Sequence, residues 1–199
     1  MANLPEKLCA AGRLMFQKRL TDMAGGNISV RDGDTIYMSP RFAGQHYHWD
    51  LTPDLLVSGE WATDLIAQNP NFSREGWSHL AIYRCFPDVK AVVHAHPFHV
   101  MPFTAFGRSI EPVLEGTQKF GVIELCEPAS AHSKILAEKI VAAMQGKEDR
   151  MRKQAAAVLI PYHGIILAGK DFDETLDALE RIDENAYCLT VRAQVEQKH

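Results

Sequence analysis

The sequence predicts a single α/β domain with helices packed on a central sheet, and three observations point there. A chain of 199 residues is long enough to bury one sizeable core, and it shows no internal repeat or low-complexity linker at which to divide it. Its apolar residues switch repeatedly between helical spacing and strand-like runs, as expected where both element types share one core. At 46% hydrophobic and 23% charged residues, the composition is that of a globular protein, not a disordered or fibrous one.

Taken in order, residues 3 to 20 read as a helix, with Asn3 and Pro5 at its start and Leu8, Ala11 and Met15 at helical spacing. Ile28 and Val30, the Asp32-Gly33-Asp34 turn and Thr35 to Met38 read as a β-hairpin. A loop, "SPRFAGQHYHWD", follows. Residues 51 to 72 have no clear period, although "LTPDLLVSG" has room for a strand. "SREGWSHLAIYRCF" reads as a helix with Ser73 as N-cap and Pro87 as stop. Val89 to Ala95 is a near-continuous apolar strand of the kind covered on both faces.

Further on, residues 97 to 106 read as a short helix, and "SIEPVLEG" and "FGVIELC" as extended segments. "ASAHSKILAEKIVAAMQG" is an amphipathic helix with Leu136, Ile140 and Met144 on one stripe and Gly146 at its end. Residues 155 to 170 read as two strands bent around His163-Gly164, and Phe172 to about Gln194 as a long final helix.

A net charge of −4 supplies no general electrostatic attraction to nucleic acid or an anionic membrane. Only Gly146 to Lys153 is locally basic, and it reads as a solvated loop. The opening "MANLPEKLCAAGRLM" resembles neither a signal peptide nor a membrane span. Cys9, Cys85, Cys126 and Cys188 are scattered with no CxxC pair, which predicts reduced, mostly buried thiols and a cytoplasmic location.

One stretch carries chemistry. In "AVVHAHPFH", His94 and His96 are two apart on a strand, so they share a face and can hold one cation, or they are two core histidines satisfied by hydrogen bonds. Further donors decide between these. His163 stands between an apolar run and Gly164, which permits a tight bend aiming the ring inward. Glu75 lies in the first turn of the helix that feeds the His94 strand, and His79, one turn on, is placed to orient it. Three imidazoles and a carboxylate are a donor set suited to a catalytic divalent ion with a position left for substrate. The same nitrogen and oxygen donors accept Zn2+ or Mn2+. His46-Tyr47-His48 is a second HxH, but its loop setting suits surface or substrate contact.

These residues, in this order, resemble the class II aldolase/adducin family: "GGNISVR", then "SREGWSHLAIYRCFPDVKAVVHAHP", then "HGIILAG". The resemblance implies a three-layer α/β/α sandwich around a mainly antiparallel sheet, spanning 1–199 as one domain. It also implies a homotetramer with active sites between neighbours, and a zinc ion held by Glu75, His94, His96 and His163. The implied activity is cleavage of a small ketose phosphate, or a related anionic hydroxy-carbonyl compound, through a metal-stabilised enediolate, with Glu75 as proton shuttle. Gly26 and Asn27 match part of the family's phosphate cradle. Arg41 stands where the family has a threonine, and Ser73-Arg74 where it has two serines, so an anion, phosphate or carboxylate, is expected against two guanidinium groups. Counting from the HxH, Glu115 falls where the fucose-type enzymes carry an acid tyrosine, and about where the related dehydratase carries an acid/base glutamate. Decarboxylation or dehydration of a sugar acid or sugar phosphate is therefore the alternative chemistry. A non-catalytic adducin-like interaction module is the alternative of another class.

Overall fold

The computed structural model describes residues 3–196; the outermost positions of the predicted 1–199 domain lie outside the described residues. Asn3 opens α1 (Leu4–Gln17) with a capping box: its side chain accepts from the Glu6 N–H while the Glu6 carboxylate accepts from the Asn3 N–H. Two donors that a helix start leaves unpaired are thereby satisfied. The predicted stripe of Leu8, Ala11 and Met15 is buried.

The hairpin forms as read, β1 (Asn27–Asp32) against β2 (Thr35–Met38), turning at Gly33 with φ +56°. With β3 (Val57–Glu60), β4 (Ala91–Ala95), β5 (Ala156–Ile160) and β6 (Gly164–Gly169), it builds a six-stranded sheet ordered β3-β2-β1-β4-β6-β5. Each neighbouring pair is antiparallel. Ile28, Val30, Val93 and Leu167 pack on one face with α1 and α7 (Phe172–Glu196). Val92, Val158 and Ile166 pack on the other with α3 (Gly76–Cys85) and α5 (Lys134–Met144). Both faces are covered, which explains why β4 and β6 read as apolar runs rather than alternating strands. The result is the expected three-layer α/β/α arrangement with an antiparallel sheet. The short helices α2 (Ala43–Tyr47), α4 (Met101–Ala105) and α6 (Glu148–Lys153) lie in the connections. No helix among the described residues is long and apolar enough to cross a membrane.

Several local expectations are corrected. Ser73 is not the cap of α3: the helix begins at Gly76, and Glu75 occupies the cap position without capping it, because its carboxylate is engaged elsewhere. The presumed loop 39–50 contains α2, flanked by left-handed Phe42 and His48 and anchored by the fully buried Trp49. The basic stretch 146–153 is largely α6; its one buried apolar residue, Met151, is too little periodicity to read. Residues 109–126 form only single bridges, Ile110 to Ile123 and Leu125 to Leu159, around a 3-10 turn at Glu115–Phe120. Asn185 of α7 accepts the Val113 and Leu114 N–H groups that a strand partner would have used. The helix predicted from residue 129 starts only after Ser133, whose hydroxyl accepts the Leu136 N–H. Cys85 is exposed, although Cys9 and Cys126 are buried as expected.

Candidate metal centre

His94 is the penultimate residue of the central strand, opposite Asn27 of β1 and Ile166 of β6, and His96 follows just beyond its end. The β5–β6 turn brings His163 alongside. Ring centroids are 5.1 Å apart for His94 and His96, 4.8 Å for His94 and His163, and 5.3 Å for His96 and His163. One nitrogen from each ring lies within 4.8 Å of the others, close enough for a single cation to bridge them.

The bend that presents His163 differs from the reading above. Tyr162, not Gly164, takes the left-handed conformation, with φ 60°. Gly164 serves close packing: a β-carbon there would sit 2.5 Å from the Ala95 carbonyl and 2.7 Å from His96 Cδ2. Gly25 does the same on the opposite side, where a β-carbon would fall 2.0 Å from His96 Cε1.

Hydrogen bonds select which nitrogen His94 and His96 offer. His94 Nδ1 lies 3.0 Å from the Ile165 carbonyl, so it carries the proton and leaves Nε2 as acceptor. His96 Nδ1 lies 3.3 Å from the Asp22 carboxylate, and its buried Nε2 has no partner; the buried Nδ1 of His163 has none either. Buried polar atoms are normally paired, and here two orphans belong to one imidazole cluster, which is the pattern a divalent cation would satisfy. Burial holds His94 well below the ordinary imidazole range, with His96 and His163 adding to it. Burial likewise pushes His163 down to about 4, against the opposing pull of Glu75. Both rings are therefore neutral near pH 7, the form that binds metal. Burial raises the Asp22 carboxyl, but the hydrogen bonds from His96, Gly25 and Ala24 outweigh it, and the net shift is downward.

Glu75 is buried beside the triad rather than within it. Its Oε1 lies 3.8 Å from His163 Nδ1 and accepts the His132 N–H at 2.8 Å, and its Oε2 accepts the Ser78 hydroxyl at 3.2 Å. The expectation that His79 orients Glu75 is corrected. His79 Nδ1 pairs with the Ser29 hydroxyl at 2.7 Å instead, part of a buried cluster with Tyr83.

Glu75, His94, His96 and His163 line a cavity of about 100 Å³. Gly26, Asn27, Arg41, Ser73 and Arg74, the expected anion-binding residues, line it as well. The two guanidinium groups flank one ring, with Arg41 Cζ 4.8 Å and Arg74 Cζ 5.2 Å from the centroid of Phe42. Asn27 Oδ1 is buried without a partner. Glu115 is exposed and is not among the lining residues of this single chain. His46 and His48 are exposed, beyond the triad.

Two residues at the site escaped the sequence reading. Asp22 faces His96 across a long sequence separation; its only local signal is the turn it makes with the Ala24 and Gly25 N–H groups. His132, between small residues ahead of α5, has no periodic or motif signal at all.

Known proteins resemble this chain along most of its length. The chain is 26% identical over 181 residues to the L-fuculose phosphate aldolase of Methanococcus maripaludis, covering 90% of this chain and 91% of that one. It is also 26% identical over 198 residues to the 3-oxo-tetronate 4-phosphate decarboxylase of Haemophilus influenzae, covering 94% and 87%. The crystal structure of L-fuculose-1-phosphate aldolase from Thermus thermophilus superposes with a TM-score of 0.80 at 19% identity, over 98% of both chains, a likeness of fold. Because residues 6–190 match the family model for the class II aldolase and adducin N-terminal domain, the chain belongs to that family.

Proposed function

We propose that the protein is a divalent-metal-dependent aldehyde-lyase that cleaves a small ketose phosphate or a related anionic hydroxy-carbonyl compound. The observation that carries this reading is the convergence of three imidazoles, with unpartnered buried nitrogens, beside a buried carboxylate in a cavity bordered by two arginines. His94, His96 and His163 would hold the ion, with the Glu75 carboxylate beside them. Zn2+ suits that set, and Mn2+ is accepted by the same donors. When bound, the ion supplies Lewis-acid polarisation of the substrate carbonyl.

The chain's own groups do the rest. Arg41 and Arg74 hold the anionic end, assisted by Ser73, the Asn27 amide and the backbone at Gly26. In cleavage, the C4 hydroxyl loses its proton, the C3–C4 bond breaks to release an aldehyde, and C3 gains a proton. Glu75 carries the proton at C3. Glu115 takes the proton from the C4 oxygen, reaching the site from a neighbouring copy, since in its own chain it is exposed away from the cavity. A homotetramer with active sites between subunits, each subunit one domain, accords with this role for Glu115. The scattered free cysteines support a reducing, cytoplasmic setting.

The paired arginines and the relative named as a decarboxylase favour a second reading, loss of CO2 from a sugar acid phosphate on the same centre. Purified zinc-loaded protein incubated with ketose phosphates and with sugar acid phosphates separates the two: aldehyde marks the lyase, CO2 the decarboxylase, and a dehydrated ketone a dehydratase. No aldehyde from any anionic ketose refutes the leading reading. No bound divalent ion, together with no product of any kind, restores the adducin-like module.

A further inference from the structure

His132 has no role in the chemistry above, yet it makes the closest contacts to Glu75. It precedes the Ser133 cap of α5 in left-handed backbone, φ 65°, a conformation unfavourable for a residue with a β-carbon and kept where the surroundings require it. Its backbone N–H donates to Glu75 Oε1 at 2.8 Å, and its ring Nδ1 lies 2.9 Å from the same oxygen. The ring stands perpendicular to that of His163, 5.9 Å between centroids. Glu75 is 2% exposed, so protein groups rather than bulk water satisfy its carboxylate. One residue thus places a hydrogen-bonding N–H and a ring nitrogen against a single oxygen, and the three imidazoles converge without that oxygen among them.

We propose that His132 is a positioning residue that draws Glu75 off the three-histidine centre, so that the carboxylate stands beside the cation as proton carrier instead of on it as a fourth ligand. The proposal rests on the roles given above to Glu75 and the three histidines. His132 and the cation compete for Oε1: with the ring removed, only the backbone N–H still holds that oxygen, and the carboxylate closes on the ion, which then binds more tightly while the proton carrier is lost.

The test is a competition titration of metal-free protein with Zn2+ alone and a chromophoric chelator, run on wild type, His132→Gly, Glu75→Gln and the double variant. Glycine keeps the backbone N–H and adopts the left-handed conformation without strain, and thermal unfolding verifies that the variant folds. His132→Gly is expected to bind Zn2+ about tenfold more tightly, the scale on which outer partners of ligands act. That gain vanishes in the Glu75→Gln background, as a double-mutant cycle requires of a residue acting through Glu75. With an active substrate, kcat falls while KM changes less than about twofold. Unchanged or weaker Zn2+ binding by His132→Gly, or an equal gain in the Glu75→Gln background, overturns the proposal. The titration needs no substrate, so absence of aldehyde release refutes the lyase reading without touching this one.

Discussion

Replacing Asp22 with asparagine is expected to weaken zinc binding through His96 alone. The Asp22 carboxylate lies 3.3 Å from His96 Nδ1 and also accepts the N–H groups of Ala24 and Gly25 at 2.9 and 2.8 Å. It therefore favours the proton on Nδ1 and leaves the lone pair on Nε2, the buried atom without a partner. Asparagine keeps one oxygen for the two backbone donors, so the turn survives. Its NH2 replaces the second oxygen and favours the tautomer with the proton on Nε2, which cannot ligate a metal. Losing such an outer partner costs about 10- to 100-fold in metal affinity. The contact is long and Asp22 is half exposed, which places the effect near the lower end, about tenfold or ~1.4 kcal/mol. Chelator competition on metal-free protein measures it, with thermal unfolding showing that the turn is intact. An unchanged zinc Kd in a folded variant refutes the tautomer argument.

Three further outcomes follow from the same geometry. Gly25→Ala drives a β-carbon against the His96 ring, 2.0 Å from Cε1; a ligand displaced on that scale costs activity roughly a hundredfold, and wild-type kcat/KM in the variant contradicts it. Asn185→Leu strips partners from the Val113 and Leu114 N–H groups and the Glu111 carbonyl, while the Thr117 hydroxyl keeps the Leu114 carbonyl. Leaving these groups unpaired costs about 3 kcal/mol or more, and urea unfolding should show it; a loss below about 1 kcal/mol shows that water replaces the clamp. Finally, burial lowers His79 to about 3 and His163 to about 4, so between the unfolded value near 6.5 and those values the unfolded chain binds more protons. Stability of the metal-free protein therefore falls as the pH drops through that window, by up to about 1.4 kcal/mol per pH unit for each buried ring. Urea midpoints that stay level from pH 6.5 to 4 contradict this.

Local patterns carried most of the architecture. The stripe Leu136, Ile140, Met144, the Asp32-Gly33-Asp34 turn and the apolar run into His94 each express a short-range rule, and each element formed. The elements missed are those whose stability comes from elsewhere. α6 rests on one buried methionine, and residues 109–126 surrender their strand hydrogen bonds to a side chain of α7 about 70 residues away, Asn185; β3, for which the sequence left room without deciding, gains its partner only at the sheet edge.

At the site, the division is the same. The strand period puts His94 and His96 on one face whatever the fold, and the sequence alone marked them, with Glu75 and His163, as a donor set. Which nitrogen His94 and His96 present, and whether Glu75 stands on or beside the centre, depends on Asp22, Ile165, Ser78 and His132. Apart from Ser78, these partners are distant in sequence from the groups they orient, and only folding brings them within 3.3 Å. Donor identity is a property of residue type and strand period, whereas tautomer and carboxylate position are set by hydrogen bonds that exist only once α3, β4, β6 and the turn before α5 have packed together.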